Sequence, residues 1–336
     1  MPRTRYHSGP ATDHFDGVRF FNNSPPTRDK SLGDLLRWRR TSRPAPWPDG
    51  APAALVTPVA RSAATRITVV GHATVLIQTC GLNIVSDPIW SKRASPLSFA
   101  GPRRVSPPSV AFDDLPPIDV VLLSHNHYDH LDVATLTRLV GRDDPVILTP
   151  LGNDAIVRRS IPRARLASGD WWDRRRIADD VEVAFVPAQH WSARGVFDRR
   201  MALWCGFAVR AGGELIYFAG DTGYGDGSVF GAIRRRIGRP DLALLPIGAY
   251  APRWFMAEQH VNPEEAIMIF EALQAQRAIG IHWGVFRLSD EGWAEPREAL
   301  ARALAQRKIE PGRFPAGEPG YVWIRRPDPR EAAERD

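Results

Sequence analysis

An α/β fold, with sheet layers covered by helices, is the architecture that this 336-residue chain predicts. Two patterns carry the prediction: short apolar or alternating runs that pair locally come first, and apolar runs interspersed with helix patterns follow. A 43% hydrophobic content supplies ample material for a core.

Residues 1–65 are rich in Pro and Arg and read as an N-terminal arm packed on the main domain. Their one helix candidate is "SLGDLLRWRR", with Leu32, Leu35 and Leu36 on one side. The main domain spans 66–325, and 326–336 reads as a flexible tail. "TRITVVGHATVLIQTCGLNIVSD" reads as a hairpin of strands broken by Gly and Asn. Further strands are expected in "IDVVLLS", "PVILTP", "VEVAFVP", "ALWCGFAVR", "ELIYFAG", "LALLPIG" and "RAIGIHW". Helices are expected in "LDVATLTRLVG", "NPEEAIMIFEALQ" and "EPREALARALAQR". Asn262, Pro263 and Glu265 form a helix start, with a capping side chain, a proline suited to the first turn and a reciprocal acid. Between Pro88 and Pro117 no regular element is expected. A segment of that length in a domain with a core points to function, and its Trp90, Leu97 and Phe99 are mixed with Lys92, Arg93, Arg103 and Arg104.

The net charge of +6 comes from arginine, which admits phosphate-bearing partners without choosing among them. Two cysteines, Cys80 and Cys205, are far apart and form neither a thiolate metal site nor a disulfide framework. The N-terminal stretch lacks the apolar region of a signal peptide, and no run reaches the length of a membrane-spanning helix. The expectation is a cytoplasmic protein, at most peripheral at the inner membrane face. A homodimer is an admissible assembly.

The chemistry concentrates in "LLSHNHYDHLD". Three of the nine histidines fall within six residues there, just past a buried strand. In an extended loop His125 and His127 point the same way and can grip one ion, while Asp129 and His130 follow the turn and can face a neighbouring position. Asp132 reads as a helix N-cap. His190, Asp221 and His282 each follow an apolar strand, so strand ends on one edge can bring them to the same cleft. Five histidines and two aspartates suit two divalent ions sharing one carboxylate. Zinc is favoured, with iron or manganese as alternatives.

"SHNHYDHLD" contains the HxHxDH signature of the metallo-beta-lactamase superfamily. More narrowly, "GHATVLI", "SDPIW", "RASP", "QHW", "FAGDTGY", "PIGAYAPRWFMAEQHVNPEEA" and "IHWGVF", in this order around it, resemble the N-acyl-phosphatidylethanolamine-hydrolysing phospholipase D family. That resemblance implies a four-layered αββα sandwich with its site at the edge of two sheets. It implies His125, His127 and His190 on one zinc, Asp129, His130 and His282 on the other, and Asp221 bridging. It also implies functional roles for Asp87 and His260 beside Asp129, and a phosphodiesterase reaction that releases N-acylethanolamine and phosphatidic acid. Asp87 would orient a metal-bound histidine, and His260 would assist the leaving group. His72 reads either as a neighbour of the metals or as a packed strand-end histidine. For a lipid substrate, Tyr250, Trp254, Phe255 and Met256 could line an acyl channel and Arg253 could meet the phosphate. The "LLRWRR" segment and the loop after Asp87 could rest on anionic headgroups.

The rival readings keep the metals and change the substrate to a lactone, an amide or a small phosphodiester. No nucleic-acid partner is expected, because the spacing from His190 to His282 leaves no room for a nuclease's inserted domain and the arginines are scattered. A non-catalytic metal-binding regulator would have lost ligands, and the set here is complete.

Overall fold

Three antiparallel strands lead the first sheet: β1 (Arg66–Gly71), β2 (Thr74–Thr79) and β3 (Leu82–Ser86). The computed structural model describes residues 6–23 and 29–325, so the expected tail at 326–336 lies outside the described residues. Upstream is α1 (Leu32–Thr41). After β3 the first sheet grows by parallel addition of β4 (Val120–Leu122), β5 (Val146–Pro150) and β6 (Arg165–Gly169). The crossovers carry α2 (Val133–Arg142) and α3 (Asn153–Ser160).

The second sheet begins antiparallel, with β7 (Arg174–Ala178), β8 (Val181–Val186), β9 (Gly206–Ala211) and β10 (Glu214–Phe218). It ends with parallel β11 (Leu242–Pro246) and β12 (Arg277–Ile281). Here the connections carry α4 (Ser228–Ile237), short α5 (Arg253–Met256) and α6 (Pro263–Leu273), and α7 (Glu295–Gln306) follows. The last strand, β13 (Val322–Ile324), returns to pair with β1. The strand orders are β13-β1-β2-β3-β4-β5-β6 and β12-β11-β10-β9-β8-β7.

Burial shows why four layers form. Ile67, Val75, Ile77, Ile84 and Leu122 of the first sheet meet Val183, Phe185, Phe207, Phe218 and Leu244 of the second in one shared core. The opposite face of the first sheet packs on Leu136, Leu139 and Val157 of α2 and α3. The opposite face of the second packs on Phe230, Ile233, Ile267, Phe270 and Leu300 of α4, α6 and α7. Each such side chain contributes roughly 1.5–3 kcal/mol by leaving water. The result is the αββα sandwich.

Asn262 caps α6 with Glu265 completing the reciprocal bond, and Asp132 caps α2 through the Ala134 N–H. Residues 88–117 hold no strand or α-helix, only one short 3-10 turn at Phe112–Asp114 and isolated bridges. Two local expectations fail. Ala202–Cys205 precede β9 rather than joining it. The leucine side of α1 does not seat it either: Leu32 and Leu36 are 80% and 53% exposed. Trp38 and Arg37 make the contacts instead, on the rings of Phe255 and Trp254. In the segment before α1, Phe15 and Phe20 insert into the core shared by the two sheets.

Candidate metal centre

The HxHxDH loop leaves β4 and folds over itself at His127, whose carbonyl accepts from the N–H groups of His130 and Leu131. This turn gives the loop two faces. On one, His125 Nε2 lies 2.8 Å from His127 Nδ1, which lies 3.2 Å from His190 Nε2, beyond the end of β8. On the other, His130 Nε2 lies 3.2 Å from His282 Nε2, just past β12, and Asp129 Oδ2 is 3.3 Å from each. Asp221, after β10, stands between the groups. Its Oδ2 is 3.1 Å from His130 Nε2, 3.7 Å from His190 Nε2 and 4.0 Å from His125 Nε2, and its Oδ1 is 3.1 Å from His282 Nε2. All seven residues expected from the sequence thus meet in one place.

Their rings are held from behind. Asp87, fully buried after β3, accepts from the Ser124 backbone N–H (2.7 Å) and hydroxyl (2.6 Å) and takes His130 Nδ1 at 2.7 Å. Because the Ser124 hydroxyl donates to Asp87, it is left to accept from His125 Nδ1 at 2.9 Å. His190 Nδ1 meets the Gln259 carbonyl at 2.9 Å. With their Nδ1 protons engaged, His125, His130 and His190 turn Nε2 lone pairs towards the cluster, as metal-binding imidazoles do.

Burial holds His125 and His190 well below the usual imidazole range and lowers His127 to about 4, leaving the neutral form that ligates metals. Burial would also penalise the carboxylates of Asp129 and Asp221, yet His130 and its neighbours outweigh it and hold both well below the usual range. Conversely, burial opposes a charge on His130, and Asp221, Asp129 and Asp87 overcome it to hold that group well above its ordinary value. Against the same penalty, Asp221 and Asp129 raise His282 to about 9. The carboxylates therefore demand cations among them. Asp221 Oδ1 is buried without a hydrogen bond among the described residues. Three imidazoles on one face, two imidazoles and a carboxylate on the other, and a carboxylate between them could hold two divalent ions.

Two further histidines border the cluster. His72, after β1, sets Nε2 2.9 Å from Asp129 Oδ2. Its carbonyl accepts from the His282 N–H, and both residues have positive φ. His260 lies between α5 and α6, with its ring 5.1 Å from that of His190 and 5.7 Å from that of His282, and Nδ1 3.8 Å from Asp221 Oδ2.

The expected substrate residues divide. The Arg253 guanidinium is engaged within the protein, donating to the His260 carbonyl at 2.8 Å and to both oxygens of Glu265. Tyr250 is buried with its hydroxyl on Glu295, and Met256 is also buried, so neither presents an open channel wall. Trp254 remains 39% exposed, and Phe255 is partly covered by Trp38. Sequence reasoning missed Ser124 and Gln259. The first lay in the quoted motif, but the second acts through its backbone carbonyl and leaves no side-chain signal. Trp191, whose ring is 4.5 Å from that of His127, also went unassigned although it adjoins His190.

A family model described as a beta-lactamase superfamily domain matches residues 82–283. An N-acyl-phosphatidylethanolamine-hydrolyzing phospholipase D 1 from Caenorhabditis elegans is 37% identical over 263 residues, covering 75% of this chain and 74% of that one. A UPF0173 metal-dependent hydrolase of Pelotomaculum thermopropionicum is 28% identical, covering 71% and 93% of the respective chains. In fold, the chain is similar to the isothiocyanate hydrolase from Delia radicum gut bacteria, with a TM-score of 0.63 at 22% identity over 77% of this chain and 100% of the other. The chain is a metal-dependent hydrolase of the metallo-beta-lactamase superfamily and belongs, within it, to the family of the N-acyl-phosphatidylethanolamine-hydrolysing phospholipases D.

Proposed function

We propose that this protein is a zinc-dependent phosphodiesterase of phospholipase D type, hydrolysing N-acyl-phosphatidylethanolamine-like lipids to N-acylethanolamine and phosphatidic acid. The observation that carries the reading is the pairing of two donor groups through Asp221, with His260 beside both. In this reading His125, His127 and His190 hold one zinc ion, Asp129, His130 and His282 hold the other, and Asp221 joins them. Such ions, when bound, lower the pKa of a water molecule and draw charge from phosphodiester oxygens.

The chain's own residues do the aiming. Asp87 acts as a positioning residue for one histidine in each group, directly on His130 and through Ser124 on His125. His260 is neutral at neutral pH, because burial lowers it to about 4, so it serves as a hydrogen-bonding partner for the leaving oxygen rather than as a standing acid. Arg253 sets its position through the backbone. The apolar surface of Trp254 and Phe255 lies on the same loop, where acyl chains would pass. α1 rests on these two rings and exposes Leu32 and Leu36 beside Arg37, Arg39 and Arg40, a composition suited to an anionic membrane surface. No helix among the described residues is long and apolar enough to cross a membrane.

The test is incubation of zinc-loaded protein with a mixed lipid extract and identification of products by mass spectrometry, with His127→Ala and Asp221→Ala as controls. N-acylethanolamine and phosphatidic acid appearing together, and only with the parent protein, would support the reading. Cleavage of lactones or amides with phospholipids untouched would overturn it.

A further inference from the structure

Beside the HxHxDH loop lies a cavity of about 470 Å³ between the 91–98 segment and the start of α2, lined by Tyr128 and Leu131 of the loop but by none of the seven residues of the metal cluster. Its charge is unbalanced. Lys92, Arg93 and Arg194 line it, and none of the three has a carboxylate within ion-pair distance among the described residues. The single acid in the wall, Asp132, is already committed: it accepts from the Ala134 N–H, the Thr135 hydroxyl and the Ser91 N–H, clamping the 91–98 segment to α2.

Arg194 is the fixed element. Its Nη1 donates to the carbonyls of Asn126 and Leu131, and its guanidinium lies 4.0 Å from the Tyr128 ring centroid. Its Nε and Nη2 groups make no hydrogen bond among the described residues. A guanidinium anchored along one edge and open along another is set to donate to a planar pair of oxygens. Lys92 and Arg93 face the same space from a different segment, and the first turn of α2 adds its positive dipole end. Leu97, 46% exposed at the rim, gives the cavity an apolar lip.

We infer that this cavity is a binding site for a phosphate dianion, either a terminal phosphate monoester or free phosphate. Three cations against one engaged carboxylate match a dianion, and a phosphate monoester carries about −1.5 to −2 near neutral pH, whereas a phosphodiester carries only one charge. The group could arrive on a lipid headgroup or as free phosphate, and the apolar lip favours the lipid. An occupant would touch Tyr128, whose sequence neighbours are His127 and Asp129, so occupancy bears on the loop that holds both metal groups. The inference goes beyond the phospholipase reading and does not depend on it.

Hydrogen–deuterium exchange of the metal-loaded full chain tests the site. Two additions are compared: inorganic phosphate, and phosphatidylcholine vesicles with or without phosphatidic acid. The inference predicts slower exchange at residues 91–98 and 131–134. Protection by phosphate alone marks a soluble ligand, and protection requiring phosphatidic acid marks a lipid headgroup. In either case Lys92→Glu, and separately Lys92→Glu with Arg93→Glu, should weaken the effect at least about tenfold in half-saturating concentration, the scale of one lost charge-assisted hydrogen bond. Asp221→Ala or chelator-treated protein should keep it, since the site does not use the metals. No protection by either addition, protection indifferent to both variants, or protection that vanishes with the metals would overturn the inference. If phospholipid turnover fails while the protection persists, the pocket stands and only the phospholipase reading falls.

Discussion

Replacing Asp87 by Asn should loosen both metal groups at once. Asp87 never touches the shared carboxylate, yet its Oδ2 takes the Ser124 hydroxyl at 2.6 Å and His130 Nδ1 at 2.7 Å. An amide with its NH₂ at that corner would present donors to two donors. Relief comes only if the imidazole moves its proton to Nε2, the atom facing the cluster, or if the amide flips and leaves the Ser124 backbone N–H opposed instead. One histidine in each group depends on this corner, so the loss should be felt twice. Outer partners of ligating histidines typically carry about 10- to 100-fold in metal affinity, or about 1.4–2.7 kcal/mol per ion. Competition of the purified protein against a zinc chelator, with bound metal counted by mass spectrometry, measures each step. If Asp87→Asn bound two zinc ions within about twofold of the parent affinity, the orienting role would be refuted.

Other perturbations separate parts of the site. His72→Asn tolerates the positive φ but withdraws the ring nitrogen from Asp129, so zinc in the Asp129 group should weaken roughly tenfold while the His125 group is unchanged in the same competition assay. Gly248→Ala would place a Cβ 2.4 Å from the His282 carbonyl, and the displacement should cost about 1–3 kcal/mol in denaturant unfolding together with metal affinity. At the N-terminal segment, burial disfavours a charged His14, but Asp170 at 2.7 Å and Asp13 at 2.6 Å outweigh it and raise the group above its ordinary 6.5. That contribution is therefore complete below 6.5 and lost as pH rises through the raised value. His14→Gln should lower stability by about 1 kcal/mol at acidic pH and less at alkaline pH, read from melting curves across the range.

The strand ends were legible because apolar runs such as "IDVVLLS" and "ELIYFAG" stop where His125 and Asp221 follow, and a strand buried on both faces leaves such a run in any sequence. Edges were less legible. β7 is "RRRIA", whose exposed arginines protect a sheet edge and conceal its strand character. α3 and α4 were missed because "NDAIVRRS" and "SVFGAIRRRI" start after left-handed glycines, Gly152 and Gly227, without a capping side chain. At the site, residue types exposed the donors but not the partners of Arg253. Its suitability for phosphate is spent on Glu265, twelve residues away in the first turn of α6, and on a carbonyl that no pattern announces. The leucines of α1 misled for a related reason: periodicity marks a face but cannot say whether that face meets protein or something else.

Anomalous diffraction at the zinc edge, from crystals of the zinc-loaded protein, addresses the shared-carboxylate centre most directly. Two peaks about 3.5–4 Å apart are predicted, one among His125, His127 and His190 and one among Asp129, His130 and His282, with Asp221 reaching both. A single peak, or peaks that leave Asp221 uncoordinated, would contradict the account.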